Sequence, residues 1–332
     1  MRELIGLSKV KLYTYGDILV ELSANVDDLP IVGSDQTIKS FRILPGGSSP
    51  NSAVSASILK VQVHQIGVVG NDVFSTILLD DLKSCGVCVD SVVSVSGSSA
   101  FAVILVDKNG ERTMLSYRDI SISAVMRELY NVKFSLGDFL HISGYAYQSL
   151  DTSEVANNLL RNAKNSGVYV SLDPSYQFAI NQSLLSQNLM EDLDYIFPNN
   201  NEAYHLTGQK SPDEAVKALL DMGVGCAIIT CGNRGCVIGD SSSREIIQIP
   251  SYEVSTPLDT TGAGDSFIGG FLAARIKGYN LEQSAKIGHA IAANVIMTYG
   301  GHAGAPSLES LRSFVIDNQD DDLLKDIIDR LC

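Results

Sequence analysis

The sequence predicts an α/β protein, with a mostly parallel sheet buried on both faces and a small β-sheet acting as a lid. Three observations lead there. From residue 120 onward, short apolar runs such as 139–145, 168–175 and 225–232 alternate with helix-like segments. These runs carry little polar alternation, as expected of strands covered by helices on both sides. The stretches 12–45 and 90–119 instead alternate apolar and polar residues, as strands do when one face meets water.

Taken in order, 10–24 reads as one or two short strands and 36–44 as an alternating piece. Gly46, Gly47, Ser48, Ser49, Pro50 and Asn51 form a turn feeding a helix. A strand over 63–70 precedes a helix over 72–86 that stops at Gly86. Lys108, Asn109 and Gly110 carry the Asn-Gly pair of a hairpin. Strands follow at 139–145, 168–175, 195–200, 225–232, 235–239 and 245–250. Helices are expected up to Ala163, near 184–189, and over 212–222, 281–298 and 307–316. The expected division is an N-terminal extension (1–11), a discontinuous lid (12–45 and 90–119) and a large domain (46–89 and 120–332).

At 332 residues and 45% hydrophobic, the chain can bury a large core. Its 24 Lys and Arg against 38 Asp and Glu give a formal charge of −14, which argues against a nucleic-acid partner. No apolar run reaches the roughly 18 residues of a membrane helix. The first residues lack the apolar centre of a signal peptide, so a cytoplasmic protein with reduced thiols is expected. Cys85 and Cys88 form a CxxC pair. No second pair stands at metal spacing, so both read as inert thiols.

The chemistry is concentrated in the run Asp259, Thr260, Thr261, Gly262, Ala263, Gly264, Asp265, ahead of a helix-like segment. Its glycines permit a tight turn, and the first amides of the helix are left to bind phosphate oxygens. Asp265 places an anion where an anionic ligand would also sit. It could take a proton from an alcohol beside an incoming phosphoryl group. From the residues alone, a simple capped turn remains the plainer alternative.

The run from Asp259 to Phe267 resembles the C-terminal signature of the PfkB, or ribokinase-like, family of carbohydrate and nucleoside kinases. Gly46-Gly47 with Asn51 and Ala53 resembles the family's N-terminal signature. Asn199 with Glu202, and Thr230, Gly232 and Gly235, resemble two further segments in the expected order. The resemblance implies a ribokinase-like three-layer α/β/α sandwich with a β-sheet lid, and an ATP-dependent sugar kinase acting on a ribose- or fructose-like hydroxyl. It implies Asp265 as general base, with the amides of Gly262, Ala263 and Gly264 as the anion hole. Asp17, Glu21, Gly46, Gly47, Asn51, Arg118 and Gln177 would meet the acceptor. Asn199, Thr230, Gly232, Gly235 and Asn294 would line the ATP site, with His289 and Ala292 also on the late helix.

The same resemblance implies Mg²⁺, with Glu202 acting through its waters. A K⁺ site on the backbone of Asp259 and Thr261, and on a later loop holding Gly300, Gly301, Gly304 and Ala305, is a further expectation. A homodimer through the lid sheet is expected as well. Glu21 stands where many members carry an Asp. Arg112 and the pair Tyr117-Arg118 would suit an acid sugar, whereas Tyr176 and Gln177 favour a neutral one. Nucleoside kinase and 2-keto-3-deoxygluconate kinase are the alternatives, and a non-catalytic binding protein is a remote one. A dinucleotide fingerprint and a P-loop are both absent.

Overall fold

The computed structural model describes residues 10–108, 111–118, 122–123, 125–181 and 188–318. The N-terminal extension falls almost wholly outside these residues, as do Asn109, Gly110 and most of the helix expected near 184–189. The first half of the chain runs through β1 (Lys11–Tyr15), β2 (Leu19–Asn25), β3 (Ser40–Gly46), α1 (Ser48–Ser57), β4 (Gln62–Val69), α2 (Val73–Ser84), β5 (Cys88–Ser94), β6 (Ala100–Val106), β7 (Arg112–Tyr117), α3 (Met126–Tyr130), β8 (Phe139–Ser143) and α4 (Leu150–Asn165). The second half runs through β9 (Tyr169–Asp173), α5 (Tyr176–Ile180), α6 (Leu189–Asp192), β10 (Tyr195–Ile196), α7 (Asn200–Thr207), α8 (Pro212–Asp221), β11 (Cys226–Thr230), β12 (Cys236–Asp240), β13 (Ile246–Ile249), α9 (Ala263–Ile276), α10 (Leu281–Val295) and α11 (Leu308–Asp317).

These strands form a nine-stranded sheet, ordered β13-β12-β11-β10-β9-β8-β1-β4-β5, and a four-stranded sheet, ordered β3-β2-β6-β7. In the large sheet, the strands from β5 to β11 run parallel, and β12 and β13 turn back antiparallel. Successive strand residues serve opposite faces. Leu12, Phe139, Cys226 and Ile228 join the core under α1, α2, α9, α10 and α11. Tyr13, Leu140, Ala227 and Ile229 join the core under α4, α7 and α8. Burial on both faces explains the nearly continuous apolar runs, and the result is an α/β/α sandwich.

The small sheet is the lid, but it is narrower than expected. β1 and β5 fall within 12–45 and 90–119 for most of their length, yet both pair with β4 in the large sheet. For β5 the reason is partial exposure. β5 is the edge strand of its sheet and is half-buried along most of its length, so its sequence alternates like a lid strand. The lid is β2, β3, β6 and β7.

Helix α9 is drawn close to α1. A Cβ on Gly269 would stand 2.2 Å from Ser52 O, so the two backbones approach as only glycine allows. This contact sets the start of α9 against the start of α1. Cys85 and Cys88 bracket the end of α2 and the start of β5. Both are free thiols whose pKa is pushed up by burial, which fits the reading of inert cysteines. Among the described residues, no helix is long and apolar enough to cross a membrane.

Candidate active site

After β1 the chain adds β4 and β5 on one side of it, and later β8, β9 and β10 on the other. The reversal leaves a crevice at the carboxyl ends of β1 and β8, where parallel sheets hold ligands. Asp17 follows β1, Tyr145 follows β8, and Asp173 ends β9; all three line a cavity of about 340 Å³. The lid closes its other side with Leu19, Glu21, Ala102, Ile104, Arg112 and Met114.

Gly262, in the left-handed region at φ 74°, turns the chain into α9 without a side-chain cap. In the first turn the Ala263 amide makes a 3.3 Å bond to Thr260 O. Among the described residues, the Gly264 and Asp265 amides have no partner and remain free to meet an anion. The anion hole read from the sequence therefore has Gly264 unengaged and Ala263 loosely engaged. Asp265 faces the cavity. Its Oδ1 lies 2.8 Å from Ser48 Oγ, and its Oδ2 accepts from Asn51 Nδ2 at 2.8 Å. Ser48 Oγ also lies 3.3 Å from Asp173 Oδ2. Neutral donors hold Asp265, and it makes no ion pair among the described residues.

Burial pushes the Asp265 pKa up to about 6, against the opposing pull of Asn51, Ser48 and His302. Burial also raises Asp173, reinforced by the charges of Glu202 and Asp265. Glu202 is pushed up to about 7 by burial, against the bonds from Asn199 and with Asp265 adding to the rise. Glu21 rises to about 7, through burial and then Asp259 and Asp265, with His302 and Arg112 opposing. The crevice thus gathers carboxylates whose charge the protein only partly offsets.

A second cavity of about 430 Å³ shares Asn199, Thr230 and Gly264 with the first. Gly232, Gly235 and Ala263 line it, with an apolar wall from Phe267, His289, Ala292 and Ile296. The His289 pKa is lowered by burial to about 4, which keeps its ring neutral there. Asn199 caps α7 through a capping box: its side chain accepts from the Asn201 and Glu202 amides, and Glu202 Oε2 accepts from the Asn199 amide at 2.9 Å.

Most of the expected site residues meet at these two cavities, and four do not. Gln177 is exposed on α5 and lines neither. Asn294 turns back on its own helix, donating to Ala290 O at 2.8 Å, so His289 and Ala292 form the late-helix wall in its place. Gly46 lines no cavity but makes room for Glu21, since a Cβ there would lie 2.7 Å from Oε1. Asp259 lies outside both cavities. It accepts from the Thr261 amide at 2.9 Å and the Gly300 amide at 3.1 Å, and it pairs with Arg112. Burial raises its pKa, but the Thr261 and Gly300 bonds and the Arg112 charge outweigh this, and the net shift is downward. Thr261 lines the first cavity. The sequence reading left out Ser48, Asp173 and Tyr145. Asp173-Pro174 at the end of an apolar strand was their one usable signal, since such strand ends face the crevice.

The sandwich, the lid and the twin cavities meeting at the head of α9 form a ribokinase-like frame. The profile of the pfkB family carbohydrate kinases matches residues 9–308, and the chain belongs to that family of ATP-dependent carbohydrate kinases. An ATP-dependent 6-phosphofructokinase of Thermoanaerobacterium thermosaccharolyticum is 25% identical over 310 residues, covering 92% of this chain and 94% of that protein. A ribokinase of Bacillus subtilis is 26% identical over 296 residues, covering 88% of this chain and 94% of its own. The crystal structure of a ribokinase from Thermotoga maritima superposes with a TM-score of 0.77 at 24% identity, covering 92% of this chain and 99% of that one.

Kinases of this family use ATP and Mg²⁺. The residues present suit both. The unpartnered Gly264 and Asp265 amides suit an anion, and the clustered carboxylates of Asp173, Glu202 and Asp265 suit a cation. Among the described residues, no three acidic, histidine or cysteine side chains stand together as a metal site. Mg²⁺ itself keeps several waters and binds largely through phosphates.

Proposed function

We propose that the chain transfers the γ-phosphate of ATP to a hydroxyl of a neutral, ribose- or fructose-like sugar. The observation that carries this is Asp265 in the first cavity, next to Gly264, which both cavities share, and held by the neutral donors Ser48 and Asn51. A carboxylate free of ion pairing can accept a proton from an alcohol. The acceptor lies in the cavity of Asp17, Glu21, Gly47, Asn51 and Arg118. Its hydroxyl reaches Asp265, while the Gly262–Gly264 backbone draws in the phosphoryl oxygens. ATP fills the cavity of Thr230, Gly232, Gly235 and His289, with Asn199 at the shared wall. Glu202 and Asp173 would hold Mg²⁺ through its waters, and the ion would supply charge screening for the phosphates.

A neutral acceptor is favoured because the two arginines that line the first cavity already have carboxylate partners, Arg118 with Asp17 and Arg112 with Asp259. An acidic or phosphorylated sugar would have to displace one of them. A K⁺ on the backbone of Asp259 and Thr261 belongs to the same proposal. Its support is contact between the two loops: a Cβ on Gly262 would lie 2.0 Å from Gly301 O. The homodimer is supported by Phe41, Ile43 and Leu115, exposed apolar residues on the two edge strands of the lid. A cytoplasmic setting is supported by the five free thiols of the described residues.

The test is ADP release from Mg²⁺-ATP with a panel of ribose, fructose, adenosine, 2-keto-3-deoxygluconate and fructose 6-phosphate. Ribose or fructose should turn over fastest. Fastest release with the acid or the phosphorylated sugar would contradict the neutral-acceptor reading, and with adenosine it would favour a nucleoside kinase.

A further inference from the structure

Asn51 is 2% exposed, and behind it a polar thread leads away from the cavity. Its Oδ1 lies 2.7 Å from His302 Nδ1, and His302 Nε2 lies 2.8 Å from Asp81 Oδ2 on α2. His302 is 4% exposed, whereas the Asp81 side chain reaches the surface at 26%. We propose that His302 and Asp81 are a positioning pair that locks the Asn51 amide with its NH₂ toward Asp265.

The donor count requires it. An ionised Asp265 only accepts, so Asn51 must offer it Nδ2. The Asn51 oxygen then faces His302, whose Nδ1 must donate. At the other end Nε2 lies against the Asp81 carboxylate, so the ring is held between the two side chains. A half-turn of the Asn51 amide would set its oxygen against the Asp265 carboxylate, and two acceptors would then meet.

The loop is tight enough to hold the arrangement. A Cβ on Gly301 would lie 2.3 Å from Asn51 Nδ2, and one on Gly262 would lie 2.0 Å from Gly301 O. The loop that carries His302 therefore touches both Asn51 and the turn before α9. An amide does not pass a proton along, so the thread orients Asp265 and does not drain it. The charged groups that bear on the ring are Asp81 from α2, Asp265 from α9 and Glu21 from β2. The ring in turn opposes the upward pKa shifts of Asp265 and Glu21.

This inference rests on Asp265 being the base. The experiment compares His302→Ala, His302→Gln, Asp81→Asn and Asp265→Asn, using the panel acceptor that releases ADP fastest. It adds the KM for ATP and for the acceptor, measured separately, and the Tm of each variant. His302→Ala should lower kcat roughly 10- to 100-fold, the scale of one charge-assisted hydrogen bond. The KM for ATP should hold within about twofold. His302→Gln, which can still donate to Asn51, should recover part of kcat.

Asp81→Asn, which leaves the ring less firmly held, should lower kcat less than His302→Ala does. A folded His302→Ala with wild-type kcat would overturn the proposal while leaving Asp265 in its role. A folded His302→Gln no faster than a folded His302→Ala would overturn it as well. Full turnover in Asp265→Asn would remove the base itself, and the positioning pair with it.

Discussion

Arg118, just past the last lid strand, reaches the main body at Asp17, with its Nε 2.5 Å from Asp17 Oδ2. Its guanidinium also lies 5.1 Å from the Tyr145 ring centroid. A second strut joins Arg112 to Asp259 and Thr261. The lid is thus tied to the crevice by two arginines that border the acceptor cavity. Burial raises the Asp17 pKa, and Arg118 only partly offsets it.

Replacing Arg118 by Ala should free the lid edge and leave Asp17 without a cation. The KM for the acceptor should rise roughly 10-fold or more, the scale of losing a hydrogen bond to a charged group, with the KM for ATP unchanged. Initial rates with either substrate varied separate the two constants. An increase confined to ATP would contradict the assignment of the two cavities.

Gly47 sits at φ 110°, and a Cβ there would lie 2.2 Å from Asp17 O. Gly47→Ala should therefore distort the turn into α1, which carries Ser48 and Asn51. The strain is of order 1–3 kcal/mol before the clash is counted. A clear fall in Tm together with a loss of kcat is expected. Wild-type melting and turnover would contradict it.

The buried carboxylates make a pH prediction whose sign is the reverse of the usual acid case. The Glu202 pKa rises from 4.5 to about 7 and that of Asp265 from 3.8 to about 6. Between roughly pH 4 and 7 the folded protein holds protons that the unfolded chain has released, so stability falls as pH rises through that window. Glu202→Gln keeps an acceptor for the Asn199 amide, so the helix cap survives. Without ligands, its Tm should drop less than that of the wild type between about pH 5 and pH 8. Equal slopes would contradict the charge cluster. Turnover, which needs Asp265 ionised, should fade below about pH 6.

Across the lid, strand pairing sets Ile43 beside Leu22, Leu22 beside Val103 and Val103 beside Leu115, away from the cavity. Leu115 is 67% exposed. If this face joins two copies, Leu115→Asp should convert a dimer into a monomer in light scattering. A wild-type monomer at every concentration would reject the interface.

How much of this was legible in the sequence follows from what each signal depends on. The turn at Gly262 and Gly264 and the buried strands are local, so composition and periodicity disclose them. The boundary of the lid was misplaced because β5 alternates as an edge strand, and sheet membership is a long-range property. Gln177 and Asn294 stand off both cavities because a helix position does not fix a side-chain direction. His302 and Asp81 lie 221 residues apart and carry no local pattern. Asp173 was visible only as the end of a strand, and its nearness to Ser48 depends on how the α/β layers stack.

The measurement closest to the central claim is single-turnover phosphoryl transfer by Asp265→Asn, with ATP binding and Tm measured on the same protein. The account predicts normal ATP binding, a preserved fold, and transfer slowed by roughly 10²-fold or more, the contribution of a positioned base. Transfer at near wild-type rate in a folded variant that binds ATP would contradict it.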